Sequence, residues 1–107
     1  MNINGLNWKI VFTENDNDLI VNSSVRLGVT DRNRLTIYLY DGLKGKLLRK
    51  VLIHELTHAW LFSYDYSLDV ETEEMLCEFL DTYAENIIDE ADEYLENKGF
   101  QKNFKNL

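Results

Sequence analysis

The sequence predicts an α+β fold: a small three-stranded, antiparallel-type sheet followed by two helices, in one domain spanning residues 1–107. Three observations carry that expectation. Three short runs rich in β-branched and aromatic residues lie before Asp41. From about Lys46 the apolar pattern changes from period two to helical spacing. No proline, repeat or low-complexity tract interrupts a chain long enough for one modest core.

The first run, WKIVFT (Trp8–Thr13), reads as a strand. ENDNDL (Glu14–Leu19) is a turn cluster with the makings of a short helical turn. VRLGVT (Val25–Thr30) is the second strand, DRNR (Asp31–Arg34) a tight turn, and LTIYLY (Leu35–Tyr40) the clearest strand of all. The second and third strands therefore read as a hairpin. DGLKG (Asp41–Gly45) closes the strand region.

Leu48, Val51, Leu52, Leu56, Ala59 and Trp60 then recur at helical spacing, giving a helix from about Lys46 to about Phe62. SYDYSLD breaks it, and Asp69 is the expected N-cap of a long second helix from about Val70 to Asn97. Leu76, Phe79, Leu80, Tyr83, Ala84, Ile87 and Ile88 form its apolar face, and Lys98-Gly99 stops it. Trp60 and Tyr83 are expected in the core.

Apolar residues at 45% and charged residues at 28% are the balance of a soluble globular protein. No apolar run is long enough to span a bilayer. The N-terminal MNINGLNWKI has neither a basic n-region nor an apolar h-region, and the lone Cys77 cannot form an internal disulfide. A reducing, cytoplasmic setting is the expectation. The net charge of −8 repels phosphate backbones and anionic lipid, so nucleic acid and membrane are not expected partners. Most of the excess acid follows Asp69, as a solvated helix face would have it. Oligomeric state has no signature in the sequence.

Both histidines of the chain fall in VLIHELTHAW, as His54-Glu55-Leu56-Thr57-His58. This is an H-E-x-x-H pattern on a predicted helix. Residues four apart share one helix face, so two imidazoles can bind one zinc ion. Glu55 points about 100° away around the axis, yet its carboxylate can reach a water held there. Zinc lowers that water's pKa, and Glu55 is the candidate catalytic base and later the acid toward the leaving amine.

A catalytic zinc takes three protein ligands and keeps an open position. No third histidine exists, and Cys77 reads as a small packed residue of the second helix. The third ligand is then a carboxylate from ETEEMLCEFLD (Glu71–Asp81). Helical phase favours Glu73, in line with Cys77 and Leu80 and toward the first helix, with Glu74 further round; both stay open at this point because a helix start is read from sequence only to within about two to four residues.

The stretches GVTDRNRLTIYLYDGL, KLLRKVLIHELTHAWLFSYDYS and EEMLCEFLDTYAENII resemble a family of small zinc metallopeptidases encoded by bacteriophages and mobile elements. More loosely the chain is similar to the ImmA/IrrE-type metallopeptidases. The resemblance runs from about Trp8 to Ile88 and is most specific at IHELTHA and EExxCEF, with Gly28-x-Thr30 a supporting mark. It implies a minimal zincin fold whose sheet packs on the HExxH helix, with a glutamate on the next helix completing a gluzincin-like site. There, an acidic residue often follows the ligand glutamate by four positions to support a histidine. Glu74 with Glu78 fits that pattern, which favours Glu74 as ligand, Glu73 as the alternative, and Glu78 as the support. The resemblance also implies a substrate chain paired with the sheet's edge strand, for which Leu35–Tyr40 is the candidate, and Tyr64 or Tyr66 is a candidate oxyanion donor.

The expected function is a zinc-dependent endopeptidase of narrow specificity, one Zn2+ per chain, acting on a protein or peptide. The same His₂Glu set also suits manganese, iron or cobalt. The alternative is a non-catalytic zincin-fold binding module whose acidic helix engages a basic partner protein.

Overall fold

The computed structural model describes residues 1–100, and they begin with a hairpin that the strand-forming runs do not announce. Strands β1 (Asn2–Ile3) and β2 (Leu6–Asn7) pair antiparallel around Asn4-Gly5. Both turn residues have positive φ, +48° and +84°, which Asn-Gly adopts readily. The hairpin delivers Ile3 and Trp8 into the core.

Strand β3 (Lys9–Thr13) follows, then the single turn α1 (Asp16–Leu19), whose Asn15 cap accepts a hydrogen bond from the Asn17 backbone. Strands β4 (Ile20–Val21) and β5 (Ser24–Val25) form a second small hairpin. This fold-back takes Val25 out of the expected second strand, and β6 runs instead from Gly28 to Asp31. The Asp31 carboxylate accepts from the backbone N–H groups of Asn33 and Arg34, at 3.0 and 3.1 Å, and shapes the predicted tight turn. Leu35 takes φ +49° there, so β7 starts at Thr36 and ends at Tyr40.

These three strands form one sheet in the order β3-β7-β6. Strand β6 is antiparallel to β7, as the predicted hairpin requires, but β3 is parallel to β7, with Lys9 opposite Thr36 and Thr13 opposite Tyr40. The expected antiparallel sheet is therefore mixed, because the chain crosses back along β6 before it enters β7. The same order corrects the expected edge strand. Leu35–Tyr40 supplies the central strand, and the open edges are β3 and β6.

Ile37 and Leu39 of β7 are fully buried and pack with Trp8, Leu43 and Ala59. Helix α2 (Gly45–Ser63) adds Leu48, Val51, Leu52, Leu56 and Phe62 to the same cluster. The Trp8 indole N–H donates to the Ser63 hydroxyl at 2.8 Å, so its polar edge is satisfied inside. Helix α2 thus lies between the sheet and helix α3 (Val70–Asn97). Asp69 caps α3 as expected, accepting from the Thr72 backbone at 2.8 Å.

Helix α3 has 28 residues against 19 in α2, so it outruns its partner by roughly 14 Å. Much of its apolar face is uncovered, beside α2 as well as beyond it: Phe79, Tyr83, Ile87 and Ile88 are all exposed. Tyr83 is 51% exposed and Trp60 of α2 50%, which corrects their expected place in the core. Trp60 instead stacks on Tyr64, ring centroids 5.4 Å apart. No helix among the described residues is long and apolar enough to cross a membrane.

The packing separates two leucine-sized positions. Leu39→Ala should lower the unfolding free energy by about 2–5 kcal/mol, whereas Ile88→Ala, on the uncovered face, should change it by less than about 0.5 kcal/mol. Urea unfolding followed by tryptophan fluorescence measures both.

Candidate metal centre

His54 and His58 lie one turn apart on α2, their ring centroids separated by 5.2 Å. Each ring spends its Nδ1 on a carboxylate of α3. His54 Nδ1 donates to Asp81 at 2.8 Å, and His58 Nδ1 donates to Glu73 at 2.5 Å. An ionised carboxylate can only accept, so each Nδ1 carries a proton, and Nε2 is the atom each ring could offer to a metal.

Both Nε2 atoms meet the same third group. His54 Nε2 contacts one oxygen of Glu74, and His58 Nε2 lies 3.5 Å from the other. A ring nitrogen bearing a lone pair and a carboxylate oxygen attract only through a positive charge between them. At His54 in the metal-free chain a proton can supply that charge. Burial works against charging His54, but its hydrogen bond to Asp81 and the charges of Glu55 and Glu74 outweigh that and raise its pKa.

One further ligand type is close by. Ligand atoms of His54, His58 and Cys77 lie within 4.8 Å of one another, a possible metal-binding group. Cys77 is fully buried, as a packed helix residue should be, yet its sulfur faces the histidines rather than remote core. Burial, followed by the charges of Glu74 and Glu73, pushes its thiol up to about 12.

The predicted carboxylates divide clearly. Glu73 is buried on His58 Nδ1 and also receives Arg32 at 2.5 Å. Glu74 is part-exposed and spans the two Nε2 atoms. Glu78 is exposed, and no hydrogen bond among the described residues joins it to either histidine. The support expected of Glu78 comes from Asp81, seven positions after Glu74, because two full helical turns return a side chain to the facing stripe.

Glu55 points from α2 to β6 and is 7% exposed. The Thr30 hydroxyl lies 2.9 Å from its carboxylate and 3.1 Å from its backbone carbonyl. Burial raises the Glu55 pKa, against the smaller lowering by Thr30 and the histidines. Gly28, two residues along the same strand face, lets β6 come this close. A Cβ there would stand 2.8 Å from Val51 Cγ1 and 2.9 Å from Glu55 Cγ. The Gly28-x-Thr30 pattern is thus the strand's half of the site. Together β6, α2 and α3 enclose a cleft of about 240 Å³ whose lining includes Arg26, Thr30, His54, Glu55, His58 and Glu74.

Tyr64 and Tyr66 are elsewhere. They line an apolar groove of about 520 Å³ with Trp60, Leu76 and Leu80, not the metal cleft, so the candidate oxyanion donor is corrected. Sequence reasoning passed over Arg32 and Lys50, and it gave Thr30 no contact with Glu55 and Asp81 none with His54. Lys50 carried a readable signal, standing one turn before His54 on the same face.

No protein-family description, characterised protein or solved structure matches this chain, so the site's chemistry is argued from its own geometry.

Two outcomes follow from this arrangement. Gly28→Ala should destabilise the protein by about 1–3 kcal/mol through overpacking and should displace Glu55, visible as lost stability in urea and as changed packing by crystallography. The pH dependence of the metal-free chain has two limbs. His54, with its pKa raised above 6.5, stabilises fully below that value, and the contribution is lost as pH rises through the folded pKa. Burial works to raise Asp81, but hydrogen bonds from Lys50 and His54 prevail and hold it below its ordinary 3.8. Its contribution is present above that value and lost as pH falls through the folded pKa. The melting temperature in chelator should therefore fall on both sides of a mildly acidic maximum. Added zinc should reverse the upper limb, because the ion displaces the proton.

Proposed function

We propose that this protein is a zinc-dependent peptidase with His54, His58 and Glu74 as the metal ligands and Glu55 as the catalytic base. One observation carries the reading: both Nε2 atoms converge on the Glu74 carboxylate while Asp81 and Glu73 hold both Nδ1 atoms. That is the donor set, tautomer and outer hydrogen bonding that a zinc site requires. Cys77 offers the other completion, from a fully buried position, whereas Glu74 stands at the open cleft where a substrate enters.

A bound divalent ion supplies Lewis acidity and makes a neighbouring water acidic. The protein's own groups do the rest. Glu55 takes a proton from the attacking water and returns it to the leaving amine. Its desolvated carboxylate is a stronger base than an exposed one, and the Thr30 hydroxyl holds it in one orientation. The open edge of β6 borders the cleft and provides backbone groups with which an extended peptide can pair. A cleft this small favours narrow specificity.

The binding-module alternative draws on the apolar groove beside Trp60 and the acidic flanks of α3, which suit a basic amphipathic segment of a partner protein. The buried, oriented Glu55 favours the enzyme, since a structural site has no use for a base.

Glu55→Gln should leave zinc content unchanged and lower peptide hydrolysis by at least about 10²–10⁴-fold. Glu74→Ala should lose the metal, and Cys77→Ser should keep it. Elemental analysis and mass spectrometry of a digested peptide library give both readouts. A Glu55→Gln protein as active as wild type would sink the peptidase reading, and zinc lost with Cys77 but kept without Glu74 would reassign the third ligand.

A further inference from the structure

Each metal-facing histidine is backed by a carboxylate, and each carboxylate is backed by a cation. Lys50 Nζ contacts one oxygen of Asp81, whose other oxygen receives His54 Nδ1 at 2.8 Å. Arg32 donates to Glu73 at 2.5 Å, and the same oxygen receives His58 Nδ1 at 2.5 Å. The geometry points to Lys50 and Arg32 as positioning residues of the metal centre, each holding the carboxylate that orients one histidine.

Charge accounting gives the cations their purpose. Four carboxylates, Glu55, Glu73, Glu74 and Asp81, crowd around two imidazoles. One divalent ion balances only two of them. With Lys50 and Arg32 the cluster closes to neutrality while both rings stay neutral, the form in which imidazole ligates. Without either cation the carboxylate loses a contact that fixes its place, and the imidazole whose Nδ1–H it receives is no longer held in one orientation.

Both cations are held in place by a second contact. Lys50 also donates to the Thr82 hydroxyl at 2.9 Å. The Arg32 guanidinium lies 5.8 Å from the Phe62 ring centroid, and that ring packs edge-on against the buried Trp8. Arg32 therefore ties the turn after β6 to α2 and α3 together. If these were only half-exposed surface ion pairs, each would add little to folding and nothing to metal binding.

This inference rests on the metal-site reading, so wild-type zinc uptake is measured first, by competition with a chromogenic chelator. Lys50→Met and Arg32→Met should each weaken zinc binding by about 10- to 100-fold, the usual effect of losing such outer support. They should also shift the visible bands of the cobalt(II)-loaded protein, which report ligand geometry. Lys50→Arg and Arg32→Lys should restore most of the affinity. Circular dichroism checks each fold, and Lys50→Gln and Arg32→Gln serve where a Met variant does not fold. A wild type that binds zinc with folded charge-removal variants of unchanged affinity overturns the positioning role alone. A wild type that takes up no zinc overturns the metal-site reading itself.

Discussion

The candidate metal centre depends on the antiparallel alignment of α2 and α3. Steps up one helix match steps down the other: Arg49 with Glu85, Lys50 with Asp81, His54 with Glu74, His58 with Glu73. Only this register sets two histidines one turn apart against carboxylates two turns apart. The connection that imposes it is six residues, Tyr64–Asp69, with Asp65 at φ +61°. Asp69 closes the first turn of α3 with its side chain and so sets the phase in which Glu73 and Glu74 emerge. A different phase would turn Asp81 to solvent and leave His54 without its partner.

The sheet contributes in a different way. It buries one face of α2 and supplies, through β6, the second wall of the cleft. Gly28 permits contact between strand and helix, and Thr30 uses that contact to hold Glu55. The pairing of β6 with β7 is therefore part of the site as well as of the core, because it fixes where Thr30 stands along α2. The core and the candidate site thus share the same few residues.

The helices were legible because their signals are local. The change to helical period, the Asp69 cap and the Lys98-Gly99 stop all act within a few residues of where they appear. Helix α3 accordingly spans Val70 to Asn97 as read, and α2 extends one residue further at each end than expected. Strand pairing is not local. Nothing in WKIVFT records that it will lie parallel to LTIYLY, since that depends on the path of the intervening chain. The exposure of Trp60 and Tyr83 was hidden for a related reason: an apolar stripe states which face would be buried, not whether a neighbour is there to cover it.

By itself, the sequence determined the two helices, the clustering of both histidines with Glu55 on one of them, and the short list of carboxylates able to join them. Those follow from helical geometry, which is the same in every protein. The tertiary structure decided how those carboxylates divide their work. Helical phase favoured Glu73 and the pattern of the resemblance favoured Glu74, and only the packed pair of helices sets the first on Nδ1 of His58 and the second between the two Nε2 atoms. It likewise put Asp81 where Glu78 was expected and brought Thr30, Lys50 and Arg32 to the site from other positions. A side chain's partner across a helix interface depends on the register and rotation of both elements, and neither element encodes that alone.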